Sequence, residues 1–363
     1  MRKNGSQFPA IKAGFLISMV LVLFVSACAP TAAPPPEPEA PAAEAAPAEP
    51  MEAEAESVEV SEPEPQPAEI EPSAAPTAVP EPEFSPVSFT DDLGRAVVIE
   101  EPPVRIVSLA PSITEMLFGI GAGGLVVGRT DYCDYPLEVL ELPSIGGFSA
   151  SSISIETIVA LEPDLVIGGA TRQGEVIEAL DVAGIPAFAL QRDTVGGTLE
   201  TLQLLGFITD HSEEASTLVD EMQTRLDAVV DVVATIPDDE RVTVFYEVWH
   251  EPLMTTTAQT FIGELIELAG GINVFGDLEE SYPSISAETI IDNDPQVILG
   301  PSTHGDQLTD EMIAAREGWG DMTAVKSGAI FIIDGAPISH TGPRIVDALD
   351  LIAAALYPEY FGD

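Results

Sequence analysis

The sequence predicts an α/β protein of two lobes, each built on a largely parallel sheet, with one long helix joining them. Short apolar runs alternate with helical patterns twice along the chain, which is typical of parallel strands connected by helices. One long amphipathic pattern separates the two sets of runs. In addition, the segment SISIETIVALEPDLVIGG at 152–169 recurs at 284–301 as SISAETIIDNDPQVILGP, with eight identical positions.

The first 28 residues have the pattern of a lipoprotein export signal. Three basic residues accompany an apolar stretch from Ala13 to Phe24, which is too short to span a bilayer. The stretch leads into VSAC at 25–28, which resembles the bacterial lipobox, whose cysteine is acylated and becomes the mature N-terminus. We therefore predict that Cys28 carries a lipid that anchors the protein on the extracytoplasmic side of the membrane.

Residues 29–86 form a segment of unusual composition. They hold 16 of the 32 prolines and 14 glutamates, with no lysine or arginine. Such a segment cannot bury enough apolar surface to offset its chain entropy. We predict a disordered tether, with an average span of about 40 Å for a flexible coil of this length.

The folded part that remains, residues 87–363, is strongly acidic. The signal contributes +3 and the tether −14 to the total charge of −48, which leaves −37 for these residues. A surface of this kind repels nucleic acid and anionic lipid headgroups, so neither is an expected partner.

With Cys28 lipidated, Cys133 has no cysteine to pair with and is predicted to be a small, half-buried filler.

The first lobe is assigned to residues 87–197 and the second to residues 239–363. Each is defined by apolar runs that read as buried strands. The runs of the first lobe are RIVSL (105–109), LVVG (125–128), DLVIGG (164–169) and PAFAL (186–190). The runs of the second lobe are VTVFYEV (242–248), QVILG (296–300) and AIFII (329–333).

The connecting region, residues 198–238, carries the long amphipathic pattern. Its apolar positions follow the helical repeat and predict a single helix from about Thr198 to Ile236. They are Leu218, Met222, Leu226, Val229 and Val233.

The stretch VRIVSLAPSITEMLF at 104–118 reads as a strand, a tight loop and a helix. Ser112 and Glu115 have the spacing of a capping box, in which each side chain accepts a backbone N–H of the other residue. A loop at the carboxyl end of a parallel strand is also where open α/β sheets bind ligands. Pro111 and Ser112 are therefore candidate ligand-binding residues.

Several aromatic residues fall in predicted loops rather than at core positions. As a set they suggest a flat apolar surface for a ligand, because apolar pockets bind most small molecules. For any single one, a role in packing its loop onto the lobe is an equal alternative. They are Tyr132, Tyr135, Phe148, Trp249 and Tyr282.

Other site types find little support in the sequence. GIGAGG at 119–124 matches a dinucleotide-binding pattern, but it closes a predicted helix instead of opening one. Three of the four histidines, His340 among them, follow strands of the second lobe, whereas the first lobe has none to complete a metal site between the lobes. No nucleophile motif is present, so neither an enzyme nor a resident cofactor or metal is expected.

Taken together, these segments resemble the periplasmic binding proteins of ABC importers for cobalamin, haem and ferric siderophores. The resemblance runs from about Ser88 to the C-terminus and rests on FTDDLGRAVVIEEPPVRIVSLAPSITEMLFGIGAGGLVVGRTDYCDYP, then GGF, then the repeated segment. It implies two Rossmann-like lobes joined by one long backbone helix, as in class III binding proteins. It also implies a monomer that docks on a permease dimer and its ATPase through one glutamate per lobe, Glu156 and Glu288.

Within that family, TDYCDYP (130–136) and VWHEP (248–252) are most similar to the cobalamin-binding branch. The resemblance places Tyr132, Phe148 and Tyr282 in a ligand cleft, with Tyr282 where tryptophan is more usual. His340 stands where the branch has an arginine. That departure keeps haem or a ferric siderophore open, since Tyr132 and His340 could ligate iron from opposite lobes.

Overall fold

The computed structural model describes residues 84–191, 193–303 and 308–362. Cys28, the predicted signal and the predicted tether up to residue 83 lie outside the described residues. Among the helices of the described part, none is long and apolar enough to cross a membrane.

A short antiparallel hairpin begins the first lobe, and its turn is held by Asp91, which accepts hydrogen bonds from Arg95. The lobe itself alternates strands and helices. The elements are β1 (Val87–Thr90), β2 (Ala96–Ile99), β3 (Ile106–Ser108), α1 (Pro111–Gly119), β4 (Val126–Gly128), α2 (Ile155–Ala160), β5 (Leu165–Gly168), α3 (Ala170–Val182) and β6 (Ala187–Ala189).

The four strands of the first lobe form one parallel sheet in the order β4-β3-β5-β6. Three of them, β3, β5 and β6, are buried at every position. That is why they read as continuous apolar runs in the sequence, since a parallel sheet is covered on both faces. All four predicted strands of this lobe are confirmed.

Two helices follow, α4 (Val195–Thr209) and α5 (Ser212–Val233), where the sequence predicts one from about Thr198 to Ile236. The chain reverses between them at Asp210, whose φ of 61° ends α4 in the left-handed conformation. Gly206 permits the close packing of the pair, because a Cβ there would lie 2.4 Å from the Ala215 side chain. The long helix of the connection is therefore α5 alone, with 22 residues.

The second lobe repeats the strand–helix alternation on a five-stranded sheet. Its strands follow the order β11-β10-β7-β8, with β9 also paired to β7, and only β8 runs antiparallel. The elements are β7 (Thr243–His250), β8 (Leu253–Thr255), α6 (Phe261–Leu268), β9 (Ile272–Asn273), α7 (Ala287–Asn293), β10 (Val297–Pro301), α8 (Asp310–Ala314), α9 (Thr323–Ser327), β11 (Ile330–Ile333), α10 (Gly335–Ile338), α11 (Ile345–Leu356) and α12 (Pro358–Phe361). The three predicted strands of this lobe are confirmed.

One hydrophobic core is shared by both lobes and the connection. It includes Ile113 of α1, Leu205 of α4, Met222 of α5 and Leu349 of α11 in a single cluster of buried residues. Two smaller clusters cover the other faces of the two sheets. The connecting helices are thus part of the core, so the lobes are joined by packing as well as by the chain.

The repeated segment forms the same structure in each lobe. Ser154 and Ser286 cap α2 and α7, and their hydroxyls accept the backbone N–H three residues later, at 3.2 Å and 3.1 Å. After each helix the chain passes through a left-handed residue, Glu162 (φ 49°) or Asp294 (φ 41°), into a central strand, β5 or β10. The two copies are structurally equivalent, as the sequence predicts.

Candidate ligand-binding site

Segments that leave the carboxyl ends of the two sheets contact each other. In the first lobe, the segments after β3, β4 and β6 leave from that edge, and each of them contacts the second lobe. Glu115 and Tyr135 meet residues that follow β11, and the backbone N–H of Val195, which follows β6, donates to Glu264 Oε2 of α6 at 2.8 Å. Because open α/β sheets bind ligands beyond the carboxyl ends of their strands, the space between these edges is the candidate site.

Glu115 forms the most buried of these contacts, with only 4% of its surface exposed. His340 Nε2 donates to Glu115 Oε1 at 2.7 Å, and Arg344 Nε donates to Glu115 Oε2 at 3.0 Å. Arg344 Nη2 donates to Glu115 Oε1 as well, and its guanidinium stacks on Tyr135 with 4.0 Å to the ring centroid. We refer to Glu115, Tyr135, His340 and Arg344 as the interlobe cluster.

The charge of Glu115 depends on its partners. Burial alone raises the pKa of this carboxyl group, but the hydrogen bonds and charges of His340 and Arg344 outweigh it and hold the pKa below its usual range. The carboxylate in turn raises the pKa of Arg344. Glu115 is therefore ionised at neutral pH and binds the two lobes together.

The predicted capping box at Ser112 and Glu115 is wrong. Helix α1 begins two residues earlier than this box requires, at Pro111, with Ala110 as its N-cap and no side-chain cap. Ser112 thus lies inside the first turn, and Glu115 turns to the cationic groups of the other lobe. A carboxylate gains more from charged donors than from one backbone N–H. Pro111 and Ser112 are half-buried at the start of α1, on the facing edge.

On the first lobe, exposed aromatic surface begins at Tyr132. Its ring is 63% exposed and meets Phe148 edge to face, with 6.0 Å between the centroids. Arg172 covers another part of Phe148, with its guanidinium carbon 5.4 Å from the ring centroid. Phe148 is held in place by packing on the core, and its carbonyl accepts a 2.6 Å hydrogen bond from the buried Gln173. We call Tyr132, Phe148 and Arg172 the first-lobe surface.

On the second lobe, Trp249 lies at the carboxyl end of β7 and Tyr282 lies just before α7. Trp249 is 36% exposed, and its indole N–H donates to the Glu251 carbonyl at 2.9 Å. Tyr282 is half-buried and packs on the core. Burial and then the charge of Asp193 raise the pKa of Tyr282, while a hydrogen bond with Thr260 opposes them. The Trp249 ring also meets the His250 ring, with 5.6 Å between the centroids.

His340 is placed differently from the predicted iron ligand. Its Nε2 is bonded to Glu115, so that atom is not available for a metal while the interlobe cluster is intact.

Cys133 is buried, not half-buried as predicted, and its sulfur accepts a hydrogen bond from the Thr114 hydroxyl at 3.1 Å. Burial raises the pKa of the Cys133 thiol, which keeps it protonated and unreactive.

Two cavities adjoin the site. Tyr135 of the predicted aromatic set lines one of them, and none of the other predicted ligand-binding residues lines either one. One, of about 340 Å³, lies where the interlobe cluster meets α5, and its wall includes Phe118, Met222 and Arg225. The other, of about 550 Å³, continues from Phe148 across the start of α3. We call this second cavity the α3 groove.

Glu156 and Glu288 lie in the first turns of α2 and α7, at equivalent positions in the two lobes. Both are exposed. Negative charge is favourable at a helix start in any protein. The position of these two glutamates therefore does not by itself show that they have a further role. The structure gives each lobe one exposed carboxylate at the same place.

The contacts of Arg344, Tyr135 and Arg172 are absent from the sequence prediction. A local pattern cannot reveal them, because Glu115 and His340 are 225 positions apart in the chain. The sequence offers one signal for these contacts. Few basic residues occur after residue 86, so each of them is a candidate for a specific ion pair or binding role.

Comparison with known proteins identifies a family and several relatives. The sequence matches the family described as "Periplasmic binding protein" over residues 106–337, which is more than half of the chain. The uncharacterized ABC transporter substrate-binding lipoprotein YvrC of Bacillus subtilis is 28% identical over 284 residues, 77% of this chain and 88% of that protein. A cobalamin-binding protein of Halobacterium salinarum is 29% identical over 277 residues, 75% of this chain and 74% of that protein. The solved structure of the periplasmic heme-binding protein RhuT from Roseiflexus sp. RS-1, in apo form, is similar with a TM-score of 0.62 and 25% identity, covering 70% of this chain and 98% of that one.

Proposed function

The chain belongs to the periplasmic binding protein family, and from that premise we propose that it is a tethered, extracytoplasmic receptor that captures cobalamin or a related corrinoid between its lobes. The family consists of substrate-binding proteins of transporters rather than enzymes. In this proposal the lipid on Cys28 holds the receptor at the membrane, and the lobes deliver the ligand to an ABC permease dimer and its ATPase.

The observation that carries the proposal is the pair of aromatic surfaces on the facing edges. Tyr132 and Phe148 lie on one lobe, and Trp249 and Tyr282 lie on the other. A corrin is a large, flat ring with apolar faces, and aromatic side chains bury such a face with little loss of conformational entropy. The cobalamin-binding relative in Halobacterium supports the same ligand class.

Haem is the second candidate, and Tyr132 is the observation that favours it. Its side chain is mostly exposed beside Phe148. The phenol oxygen could therefore bind the ferric ion of a haem that lies on this aromatic surface. The opposing ligand offered by the sequence, His340, would first have to release Glu115 through Nε2. The same route applies to a ferric siderophore. The corrinoid needs no such rearrangement, and we therefore prefer it.

For delivery, the proposal assigns Glu156 and Glu288 to the permease. The support is their equivalence: two similar lobes that meet a two-fold permease dimer each present the same exposed carboxylate. Charge complementarity of this kind fixes orientation and excludes wrong partners. Neither residue belongs to the aromatic surfaces, so docking and ligand capture use separate parts of the molecule.

The test is thermal unfolding of the purified protein with cyanocobalamin, hemin or a ferric siderophore added in separate samples. A ligand at about 100 times its Kd adds about 2.7 kcal/mol to the stability of the folded state. We expect a clear rise in Tm with cyanocobalamin and none with hemin or the ferric siderophore. A rise with hemin alone would replace the corrinoid by haem, and no rise with any of the three would contradict the proposal.

A further inference from the structure

Arg172 differs from the other basic side chains of the folded part. Of the nine that the structure describes between residues 84 and 362, eight form an ion pair with a carboxylate or donate to a backbone carbonyl. These eight are Arg95, Arg105, Arg129, Arg225, Arg241, Arg316, Lys326 and Arg344. Within the same residues, the guanidinium of Arg172 forms no ion pair and contacts only the face of Phe148.

That exception is unusual in so acidic a protein. Carboxylates far outnumber basic residues here, yet Arg172 is exposed and has not been paired with one. An arginine stacked on an aromatic ring keeps its donor edge free, because the ring takes only the flat face of the guanidinium. The N–H donors of that edge can then bind a group that lies beside the Phe148 ring.

The surroundings of Arg172 complete a polar subsite. Ser149, Ser151 and Thr171 line the same α3 groove, which begins next to Phe148. Glu175 and Glu178 line it as well, and their charges repel a group with two negative charges more strongly than a group with one. The combination suits a single negative charge bound at Arg172 and assisted by hydroxyl donors.

We infer that Arg172 recognises a singly charged acidic substituent of the ligand whose ring lies on Tyr132 and Phe148. The inference rests on the proposed function, since it requires a ring ligand on the first-lobe surface. In a complete corrinoid the substituent is the phosphodiester of the nucleotide arm, and in haem it is one propionate carboxylate. Arginine binds either group through two parallel N–H donors. Arg172 is thus a specificity residue that separates complete ligands from those lacking the acidic arm.

The experiment compares ligands that carry the acidic group with ligands that lack it. Kd is measured for cyanocobalamin and for dicyanocobinamide, which lacks the nucleotide arm, with wild type, Arg172→Gln and Arg172→Lys. Hydrogen bonds to charged groups contribute enough that Arg172→Gln should weaken cyanocobalamin by about 10- to 100-fold. Cobinamide should be unaffected, and Arg172→Lys should be intermediate. Lys326→Gln, with the same change in net charge, should alter neither Kd.

Hemin and its dimethyl ester form the matching pair for haem. If wild type binds them instead of corrinoids, Arg172→Gln should weaken hemin and leave the ester unchanged. Equal weakening of both members of a pair would overturn the inference, because it would show that Arg172 acts by holding Phe148. An Arg172→Gln variant that binds the complete ligand as well as wild type does would overturn it too. If wild type binds none of the four, the proposed function is wrong and the inference falls with it.

Discussion

Replacing Glu115 by glutamine removes the negative charge of the interlobe cluster while keeping the shape of the side chain. His340 and Arg344 both donate to this carboxylate from the other lobe. In the variant, the guanidinium of Arg344 remains beside Tyr135 without a counterion. We therefore expect the folded state to be destabilised and the joint between the lobes to be loosened.

The magnitude follows from burial. Removing one partner of a buried ion pair costs about 3–5 kcal/mol, because the other charge is left uncompensated. The Glu115 side chain is 3% exposed, but that of Arg344 is 19% exposed and can regain part of its hydration. We expect the lower end of the range, about 3 kcal/mol. As a control, Asp350→Asn breaks an exposed contact with Arg225 and should cost at most about 1 kcal/mol.

The assay is urea unfolding of wild type, Glu115→Gln and Asp350→Asn between pH 7 and pH 3. The pKa of Glu115 is lowered by folding, so its contribution is full above its ordinary value of 4.5 and is lost as the pH falls through the lower folded value. Arg344 stays charged throughout, and Asp134 and Tyr135 are the other groups that act on it. The difference between wild type and Glu115→Gln should therefore shrink at the acid end. A loss below about 1 kcal/mol at pH 7, typical of an exposed pair, or one that does not change with pH, would refute this reasoning.

Three further predictions concern the tether, the ligand and the permease. Cys28→Ala should release the protein from membranes with unchanged stability, as checked by fractionation; continued membrane association would count against the lipid anchor. Tyr132→Ala and Trp249→Ala should each weaken cyanocobalamin binding in titrations by about 1–3 kcal/mol; a loss of about 3 kcal/mol or more in the stability of the ligand-free protein would instead mark them as core residues. Reversal of Glu156 and Glu288 together to lysine should abolish uptake while leaving Kd unchanged and lowering stability by about 0.3–1 kcal/mol per site; normal uptake would show that the repeat reflects only shared architecture.

Most of the fold could be predicted because its signals are local. Strands such as β5 and β10 are buried on both faces, and a run of apolar residues is the direct result. The hairpin β1–β2 and the short strands β8 and β9 were beyond reach, since two to four residues carry too little pattern. The break at Asp210 was missed because apolar residues continue at helical spacing on both sides of it.

The site was predictable only in part, for a related reason. Aromatic residues in loops indicate a binding surface without knowledge of the fold, and Tyr132 is indeed exposed in a loop. Trp249 is exposed as well, but it lies in β7 and not in a loop, so that part of the prediction is wrong. Glu115 shows the limit: its spacing from Ser112 satisfies a local rule, yet charged donors from the other lobe determine its position. Contacts over such chain distances depend on how the lobes pack, which a local pattern does not encode.

The most direct measurement is an isothermal titration of cyanocobalamin into the full, detergent-solubilised protein, repeated with the Tyr132→Ala, Trp249→Ala double variant. We predict one corrinoid per chain for wild type, with the heat capacity of the system falling on binding as apolar surface is buried. The double variant should bind with a Kd higher by at least about 30-fold, since each aromatic contributes at least about 1 kcal/mol. Absence of saturable binding by wild type, or equal affinity of the double variant, would contradict capture of a corrinoid between the two aromatic surfaces.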